Sequence, residues 1–190
     1  MQTYNNTQWV LNKAKETSGE GDLCGPGWLH FYSHPLLAVL LDSLHANFNN
    51  PRLFEINAEG KIKKGNGLKF GCTKMTLVKE LELPKVTLEQ RVKFGILCAL
   101  EVCNDANFVK WAQNWLDGID RSYANAYAAN AAANATNAAA YNAASAAANA
   151  AVNAAYAAAY AVNAAYTAAY TAAKDGKLLD LIAIALKVKE

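Results

Sequence analysis

Residues 122–173 limit most strongly how this chain can fold: more than half of them are alanine, and no charged residue lies between Arg121 and Lys174. Alanine has the highest helix propensity and the stretch contains no Gly or Pro, so it predicts a helix despite its many Asn. An unbroken helix would be roughly 75 to 80 Å long at about 1.5 Å per residue. We expect a rod with so many methyl groups and no charge to lie against another surface.

The larger side chains of this stretch recur at steps of three and four residues, which places them in one stripe along a helix. Such a stripe begins at Asn142, and the predicted interface combines its residues with Tyr141, the last residue of an earlier stripe: Tyr141, Asn142, Asn149, Val152, Tyr156, Tyr160, Asn163, Tyr166 and Tyr170. An earlier stripe from Tyr123 to Tyr141 is offset by one position. An eleven-residue spacing is also visible, which suits a nearly straight helix.

Three roles fit such a helix. The first is a structural helix whose Asn and Tyr supply solubility and hydrogen bonds between helices. The second is recognition, because Tyr and Asn are adaptable contact residues. The third is binding to ice, since alanine-rich helices with this spacing resemble one class of antifreeze helix. Those helices repeat Thr, whereas only Thr136, Thr167 and Thr171 occur here.

Composition argues against several classes of protein. The Asn amides interrupt every apolar run, so the helix is not expected to span a membrane. The N-terminal ten residues lack the basic and apolar regions of a signal peptide, which favours a cytoplasmic location. The net charge is +2, and the lysines that cluster near Lys61 have glutamates on either side of the cluster, so a solvated strand face is favoured over nucleic-acid binding.

Patterning predicts an α+β fold in four parts. Residues 1–84 form a small α+β domain, 85–119 form two packed helices, 120–174 form the long helix, and 175–190 form an apolar helix that docks on the domain or on another copy. In the first part we expect strands at 8–12, 28–32, 52–58 and 73–83. A short helix at 36–44 follows Pro35 and is capped by Ser33 or His34.

Turn and cap signals divide the remainder of the chain. The sequence Gly65-Asn66-Gly67 predicts a hairpin, and Thr87 with Gln90 predicts a capping box. We expect a second cap at Asp105 and a helix end at Gly118, then a long helix capped by Asp120 and ended by Gly176. One face of the capping-box helix is predicted to be buried, and it comprises Leu88, Val92, Gly95, Ile96, Ala99 and Cys103.

The segments 25–41, 51–62, 67–81 and 87–102 together resemble an uncharacterised domain family that is common in bacteriophages. In that family the domain is often followed by a low-complexity tail rich in Ala or Ser, so the resemblance covers nearly the whole chain. It implies a phage-encoded accessory protein and no particular activity.

The segment 27–32 with the helix behind it, followed by 53–60, is similar to the core of ADP-ribosyltransferases. That resemblance implies a glycine, strand and helix element beside NAD. The family also uses a strand that bears His or Arg, and residues 8–13 carry neither.

These observations give one main hypothesis and two alternatives. The main one is a non-enzymatic phage-encoded binding protein that counters host defence and uses the long helix for self-association or for a host protein. The alternatives are an NAD-using enzyme and a structural or filament component. A nucleotide-like ligand would be bound by His30, Tyr32 and Ser33. No catalytic residue, metal or cofactor is assigned, and the four cysteines are interpreted as buried small apolar residues.

Overall fold

The computed structural model describes residues 7–45, 50–122, 142–143, 146–150 and 157–189. It shows an α+β protein with a four-stranded antiparallel sheet. The chain divides into two compact units, Met1–Pro84 and Lys85–Glu190, and each is described by itself.

The first unit contains the sheet and one helix. Its elements are β1 (Lys15–Glu16), β2 (Leu29–Phe31), α1 (Pro35–His45), β3 (Leu53–Gly65) and β4 (Lys69–Leu81). All three neighbours of β4 run antiparallel to it. Since a strand has two edges and β3 occupies one along nearly all of β4, β1 and β2 share the other edge in succession.

The β3–β4 hairpin turns where the sequence predicts it. Asn66 and Gly67 have positive φ angles of 47° and 77°, and the Leu68 N–H donates to the Gly65 carbonyl at 2.9 Å. Two positive φ angles in succession are the signature of a type I′ turn, whose twist matches that of the paired strands. Two register shifts interrupt the ladder, between Glu55 and Ile56 and between Glu59 and Ile62.

One face of the sheet forms a compact apolar cluster. Its buried members are Trp9, Cys72, Met75 and Leu77. Phe54, Ile56 and Ala58 of β3 pack against this cluster. They alternate along the strand with Glu55 and Asn57, because successive side chains of a strand point to opposite faces.

The predicted strand at residues 8–12 is wrong, since the strand lies at Lys15–Glu16 instead. Asn12 adopts a left-handed backbone with φ of 58°, and Lys13 N–H closes a turn on the Val10 carbonyl. Asn tolerates this conformation better than most residues, so the chain turns there. Only Trp9 of this segment enters the core, while Val10 and Leu11 are exposed.

The helix after the second strand begins at Pro35, as predicted. The Leu36 N–H donates to Nδ1 of His34 at 3.2 Å, and the Ala38 N–H donates to the His34 carbonyl. His34 therefore caps the helix, and its imidazole nitrogen takes the place that a Ser or Asp oxygen usually fills.

The second unit is helical in its described part. Its elements are α2 (Leu88–Leu100), α3 (Ala106–Leu116), α4 (Ala157–Lys174) and α5 (Leu181–Lys187). Residues 142–143 and 146–150 are also helical. The remaining residues of the predicted long helix, including its expected start after Ser122, lie outside the described residues.

The predicted caps at Thr87 and Asp105 and the predicted helix ends at Gly118 and Gly176 are confirmed, whereas the helix that Asp120 was expected to cap begins outside the described residues. Thr87 and Gln90 form both hydrogen bonds of a capping box at α2, and the Asp105 side chain accepts from two N–H groups at α3. Gly118 and Gly176 end α3 and α4 with positive φ angles. At each end, the residue after the glycine donates to the carbonyl five residues back, which completes a Schellman motif.

The predicted burial of Leu88 is wrong, because Leu88 is the first residue of α2, ahead of the packed turns, and is exposed. Within the part predicted at 175–190, the helix begins at Leu181, because the Asp180 side chain accepts a hydrogen bond from the Ala183 N–H and caps it there.

Helix α2 lies at the centre of the second unit. Helices α3, α4 and α5 all contact it, and it buries Phe94 and Cys98 in addition to the predicted face. A helix contacted on several sides is expected to be apolar over most of its circumference. Contact with α4 is the closest, because a Cβ added at Gly95 would lie 2.9 Å from Cα of Ala161.

We predict that Gly95→Ala destabilises the protein by about 1 to 3 kcal/mol, because the added methyl meets the backbone of α4 and the two helices must separate. In a helix interior, alanine has a helix propensity more favourable than that of glycine by roughly 1 kcal/mol. A loss of stability in Gly95→Ala would therefore show that the unfavourable packing outweighs the gain in helix propensity. Denaturant unfolding followed by circular dichroism measures it.

The matched control is Asn163→Ala, which adds a methyl-bearing residue to an exposed position of α4. We expect this variant to keep or slightly raise the free energy of unfolding, since helix propensity improves and no packing changes. A Gly95→Ala protein more stable than the wild type would contradict the close approach of α2 and α4.

Candidate interaction surface

The residues of α4 divide between two opposite faces. The buried face consists of small apolar residues, namely Ala161, Val162, Ala164, Ala165, Ala168, Ala169 and Ala172. These positions recur every three or four residues, and the first of them meets Gly95 of α2. Alanine suits this face because a single methyl group lets two helix backbones approach closely. The long helix thus lies against its own chain.

The predicted interface residues of α4 lie on the other face. We define the outward stripe as Tyr160, Asn163, Tyr166 and Tyr170. At 100° per residue, its centre lies roughly opposite the centre of the alanine face. Asn163 and Tyr170 are exposed, and Tyr160 and Tyr166 are partly exposed. The side chains that could meet another molecule are therefore those not used in packing on α2.

The outward stripe is locally ordered. The rings of Tyr166 and Tyr170 lie with centroids 4.6 Å apart. Beside them, the Thr167 hydroxyl donates to the Asn163 carbonyl and the Thr171 hydroxyl donates to the Thr167 carbonyl, both at 2.8 Å. Because these hydroxyl donors are used within the helix, the threonines add little hydrogen-bond donor capacity to the surface.

The two threonines were not among the predicted interface residues. Their four-residue spacing from Asn163 was the signal that could have placed them on the same side of the helix.

The same division between faces continues upstream of α4 where residues are described. Ala143, Ala147 and Ala150 are buried, whereas Asn142 is exposed and Asn149 is partly exposed. Three residues of the predicted interface, Tyr141, Val152 and Tyr156, lie outside the described residues.

The predicted ligand site at His30 lies beside a loop that packs on the sheet, and the His30 side chain is exposed. The His30 ring is hydrogen-bonded to the Leu23 carbonyl, and Leu23 lies over two glycines, Gly65 and Gly71. A Cβ at either glycine would lie within 2.6 Å of a Leu23 methyl carbon. Trp28 Nε1 and Lys63 Nζ both donate to the Gly21 carbonyl, which holds the loop on the sheet.

The structure places Tyr32 beside helix α1. Burial raises the pKa of Tyr32 well above its usual range, and the negative charge of Asp42 adds to the effect. The neutral phenol is therefore the stable form. Ser33 is exposed at the end of the same segment. His30 and Tyr32 thus contact different elements, and nucleotide binding by these three residues stays a prediction.

A cleft of about 550 Å³ opens in the second unit, at a place that the sequence did not indicate. It lies where α2 and α4 end, and carboxylates line it at Glu101, Asp175 and Asp180. Lys177 lines it as well, so the charged side chains around the cleft are of both signs. The Schellman turn at Gly176 followed by the cap at Asp180 was the signal that could have indicated a fold back of the chain here.

Three of the four cysteines are buried, as interpreted from the sequence, but Cys24 is exposed. Cys24 lies in the loop that carries Leu23, outside the regular elements, which is why it escapes the core. Burial raises the pKa of Cys72, Cys98 and Cys103, so their thiols stay protonated and unreactive.

Comparison with known proteins gives one match. Residues 1–89 match a family described as a domain of unknown function, DUF7666. This supports an uncharacterised domain at the N-terminus, and the match ends before the alanine-rich stretch instead of covering nearly the whole chain. No curated protein matches the chain, and no solved structure matches it.

Two further classes of site were sought. Among residues 7–45, 50–122 and the described parts of the alanine-rich stretch, no group of three His, Cys, Asp or Glu residues could hold a metal ion. No helix within the described ranges combines the length and the hydropathy required to cross a bilayer.

Burial predicts the reactivity of the cysteines. A thiol reagent added to the native protein should modify Cys24 rapidly, and the other three only after denaturant unfolds the core. Intact-mass spectrometry counts the labels, and Cys24→Ser should leave the native protein unlabelled. Rapid native labelling of that variant would contradict the burial of Cys72, Cys98 and Cys103.

The environment of His30 predicts a pH effect on stability. Burial lowers its pKa below 6.5, Lys69 lowers it further, and the hydrogen bond to Leu23 acts in the opposite direction. As the pH falls below 6.5, His30 therefore binds a proton in the unfolded chain before it does so in the folded protein. The free energy of unfolding decreases as a result, until the pH has fallen through the pKa of His30 in the folded protein.

We expect His30→Gln to reduce the loss of unfolding free energy between pH 7.5 and pH 5.5. Glutamine can still donate a hydrogen bond to the Leu23 carbonyl but does not titrate. Chemical denaturation at the two pH values measures the difference, and equal losses in the variant and the wild type would show that His30 does not contribute.

Proposed function

We propose that this protein acts by binding another protein chain and that the outward stripe of α4 is its contact surface. The observation that carries the proposal is the division of α4 into two faces. The alanine face already packs on α2, and Asn163 and Tyr170 on the opposite face are exposed to a second molecule.

The composition of the outward stripe is that of an interface. Exposed helix faces usually carry Lys and Glu, yet residues 157–173 include no charged side chain. The centres of protein interfaces are enriched in Tyr and depleted of charge. Tyrosine and asparagine both donate and accept hydrogen bonds, so the surface can satisfy a neutral partner without leaving a charge buried.

Local order favours binding as well. A side chain that is fixed before binding loses less conformational entropy when the complex forms. The neighbouring rings of Tyr166 and Tyr170, tilted by 31° with centroids 4.6 Å apart, are such a pair, and a tyrosine has only two side-chain torsions to fix. No residue is assigned a catalytic role.

Two kinds of partner follow from the sequence. One is a second copy of this chain, because a neutral stripe does not repel itself. The other is a host protein, including a defence complex, which the resemblance of the first domain to a phage-associated family suggests. The host-protein partner is suggested by that resemblance alone. One set of variants tests both kinds of partner.

The test introduces two charges into the outward stripe with the double variant Asn163→Lys, Tyr170→Lys. The control, Asn107→Lys, Val109→Lys, adds the same charges at exposed positions of α3. Light scattering after size exclusion measures self-association, and quantitative capture from cells that produce the protein measures retained partners. Both double variants should keep the helical circular-dichroism signal of the wild type.

We expect the stripe variant to lose self-association or its retained partner by at least about tenfold, as for residues at the centre of an interface. The control should behave as the wild type. A wild-type protein that neither self-associates nor retains any protein more strongly than the stripe variant would overturn the proposal.

A further inference from the structure

The charges of the β3–β4 hairpin are unevenly distributed along its length. Residues 60–79 contain six lysines and no Asp or Glu. Two of these lysines are ion-paired across the strands, since Lys74 pairs with Glu59 at 3.4 Å and Lys79 pairs with Glu55 at 3.0 Å. We define the hairpin tip as residues 60–73. It holds the other four lysines, namely Lys61, Lys63, Lys64 and Lys69.

None of the four tip lysines has an ion-pair partner in the part of the chain that the structure describes. The sequence favoured a solvated strand face because glutamates flank the cluster. Three of those glutamates have partners outside the tip, namely Glu55, Glu59 and Glu80. Glu20 and Asp22 of the loop that packs on the sheet are exposed to solvent. The tip therefore concentrates four unneutralised charges in a chain whose net charge is +2.

The backbone of the tip is bonded within the hairpin, so its lysines offer side chains only. At the bulge, the Lys61 N–H donates to Thr73 Oγ1 at 3.0 Å, next to Gly60 with its φ of 78°. Adjacent residues of a strand point to opposite faces, so Lys63 and Lys64 place cations on both sides of the tip.

Three of the four lysines can reach a ligand. Lys63 is already engaged, because its Nζ donates to the Gly21 carbonyl at 3.1 Å and lies 5.4 Å from the centroid of the Trp28 ring. Both of these partners are neutral, so the charge of Lys63 still adds to the field. Lys61 and Lys64 are exposed and Lys69 is partly exposed; these side chains hold the remaining ammonium groups of the tip.

The ligand that matches this surface is a dense row of anions. Duplex DNA carries one phosphate charge per about 1.7 Å of helix axis. An extended acidic peptide carries at most one charge per residue, or one per about 3.3 Å. Sites for single strands add aromatic rings on which bases stack. Phe70 is the sole aromatic residue in the sequence of the tip, and it is half-buried and stacked on Phe31 with centroids 5.4 Å apart.

We propose that the hairpin tip binds the phosphate backbone of duplex DNA through Lys61, Lys64 and Lys69, without reading the base sequence. Lysine binds phosphate as a point charge, and contacts to phosphate position a protein on DNA without specifying bases. This surface belongs to the first unit, so it is a function additional to protein binding by the outward stripe.

The test measures binding of two fluorescein-labelled duplexes of unrelated sequence by fluorescence anisotropy, from about 50 to about 200 mM salt. The tip variant is Lys61→Gln, Lys64→Gln, which keeps the backbone bond at Lys61 and the contacts of Lys63. The matched control is Lys110→Gln, Lys177→Gln, which removes the same charge from exposed positions of the second unit. The outward stripe is left unaltered, so the two proposals can fail separately.

We expect the wild type to bind both duplexes equally. The logarithm of its association constant should fall against the logarithm of salt concentration with a slope of about −3, because three phosphate contacts release their counterions. The tip variant keeps one contact, so its slope should be about −1 and its affinity at about 50 mM salt should fall by at least about tenfold. The control should keep the wild-type slope.

The proposal is overturned if the wild type does not bind duplex DNA at about 50 mM salt, if the tip variant binds as the wild type does, or if the control loses as much affinity. Tighter binding of poly-glutamate or of single-stranded DNA would also overturn it. Thermal melts check the fold. If the double variant unfolds, Lys64→Gln alone replaces it, and an unchanged slope in that variant contradicts the proposal.

Discussion

The close approach of Gly95 and Ala161 is the contact on which the second unit depends. Two helix backbones can come this near only where both residues are small, and here one is glycine and the other lies in a stretch dominated by alanine. This contact gives a structural reason for the abundance of alanine. A helix with larger inward side chains would be held away from α2, and the cover of Phe94 and Cys98 would change with it.

The two units differ in the side chains that they expose to water. In the first, cross-strand ion pairs such as Arg52 with Glu80 and Glu55 with Lys79 keep the outer face of the hairpin hydrated. In the second, residues 157–173 of α4 carry no ionic group, and tyrosine and asparagine occupy the outer face up to Lys174 at the end of the helix. A face of the first kind needs no partner to remain in water, whereas the second kind has the composition of a contact surface.

The sequence predicted local structure well where a single residue type determines it. The hairpin at Asn66, the capping box at Thr87 and the end of α4 at Gly176 depend on backbone conformations that few residues adopt, so short motifs identify them. The strand at residues 8–12 was wrong because its composition suited a strand while Asn12 turned the chain.

Longer-range arrangements were not visible in the sequence. The stripe of α4 was readable from its spacing, but which helix covers the opposite face was not, because every alanine is equally able to pack. The loop beside His30 packs on the sheet because Leu23 contacts Gly65 and Gly71, which lie 42 and 48 residues further along the chain. A periodic pattern in the sequence does not indicate a contact of that kind.

The uncharged character of α4 also decides how the molecule responds to its surroundings. Residues 157–173 include no Asp, Glu, His, Lys or Arg, so acidification between neutrality and pH 5 adds no charge within this part of the helix. Added salt has no fixed charges to screen along residues 157–173. Contacts made through this face should therefore persist across ionic conditions under which charge-mediated complexes come apart.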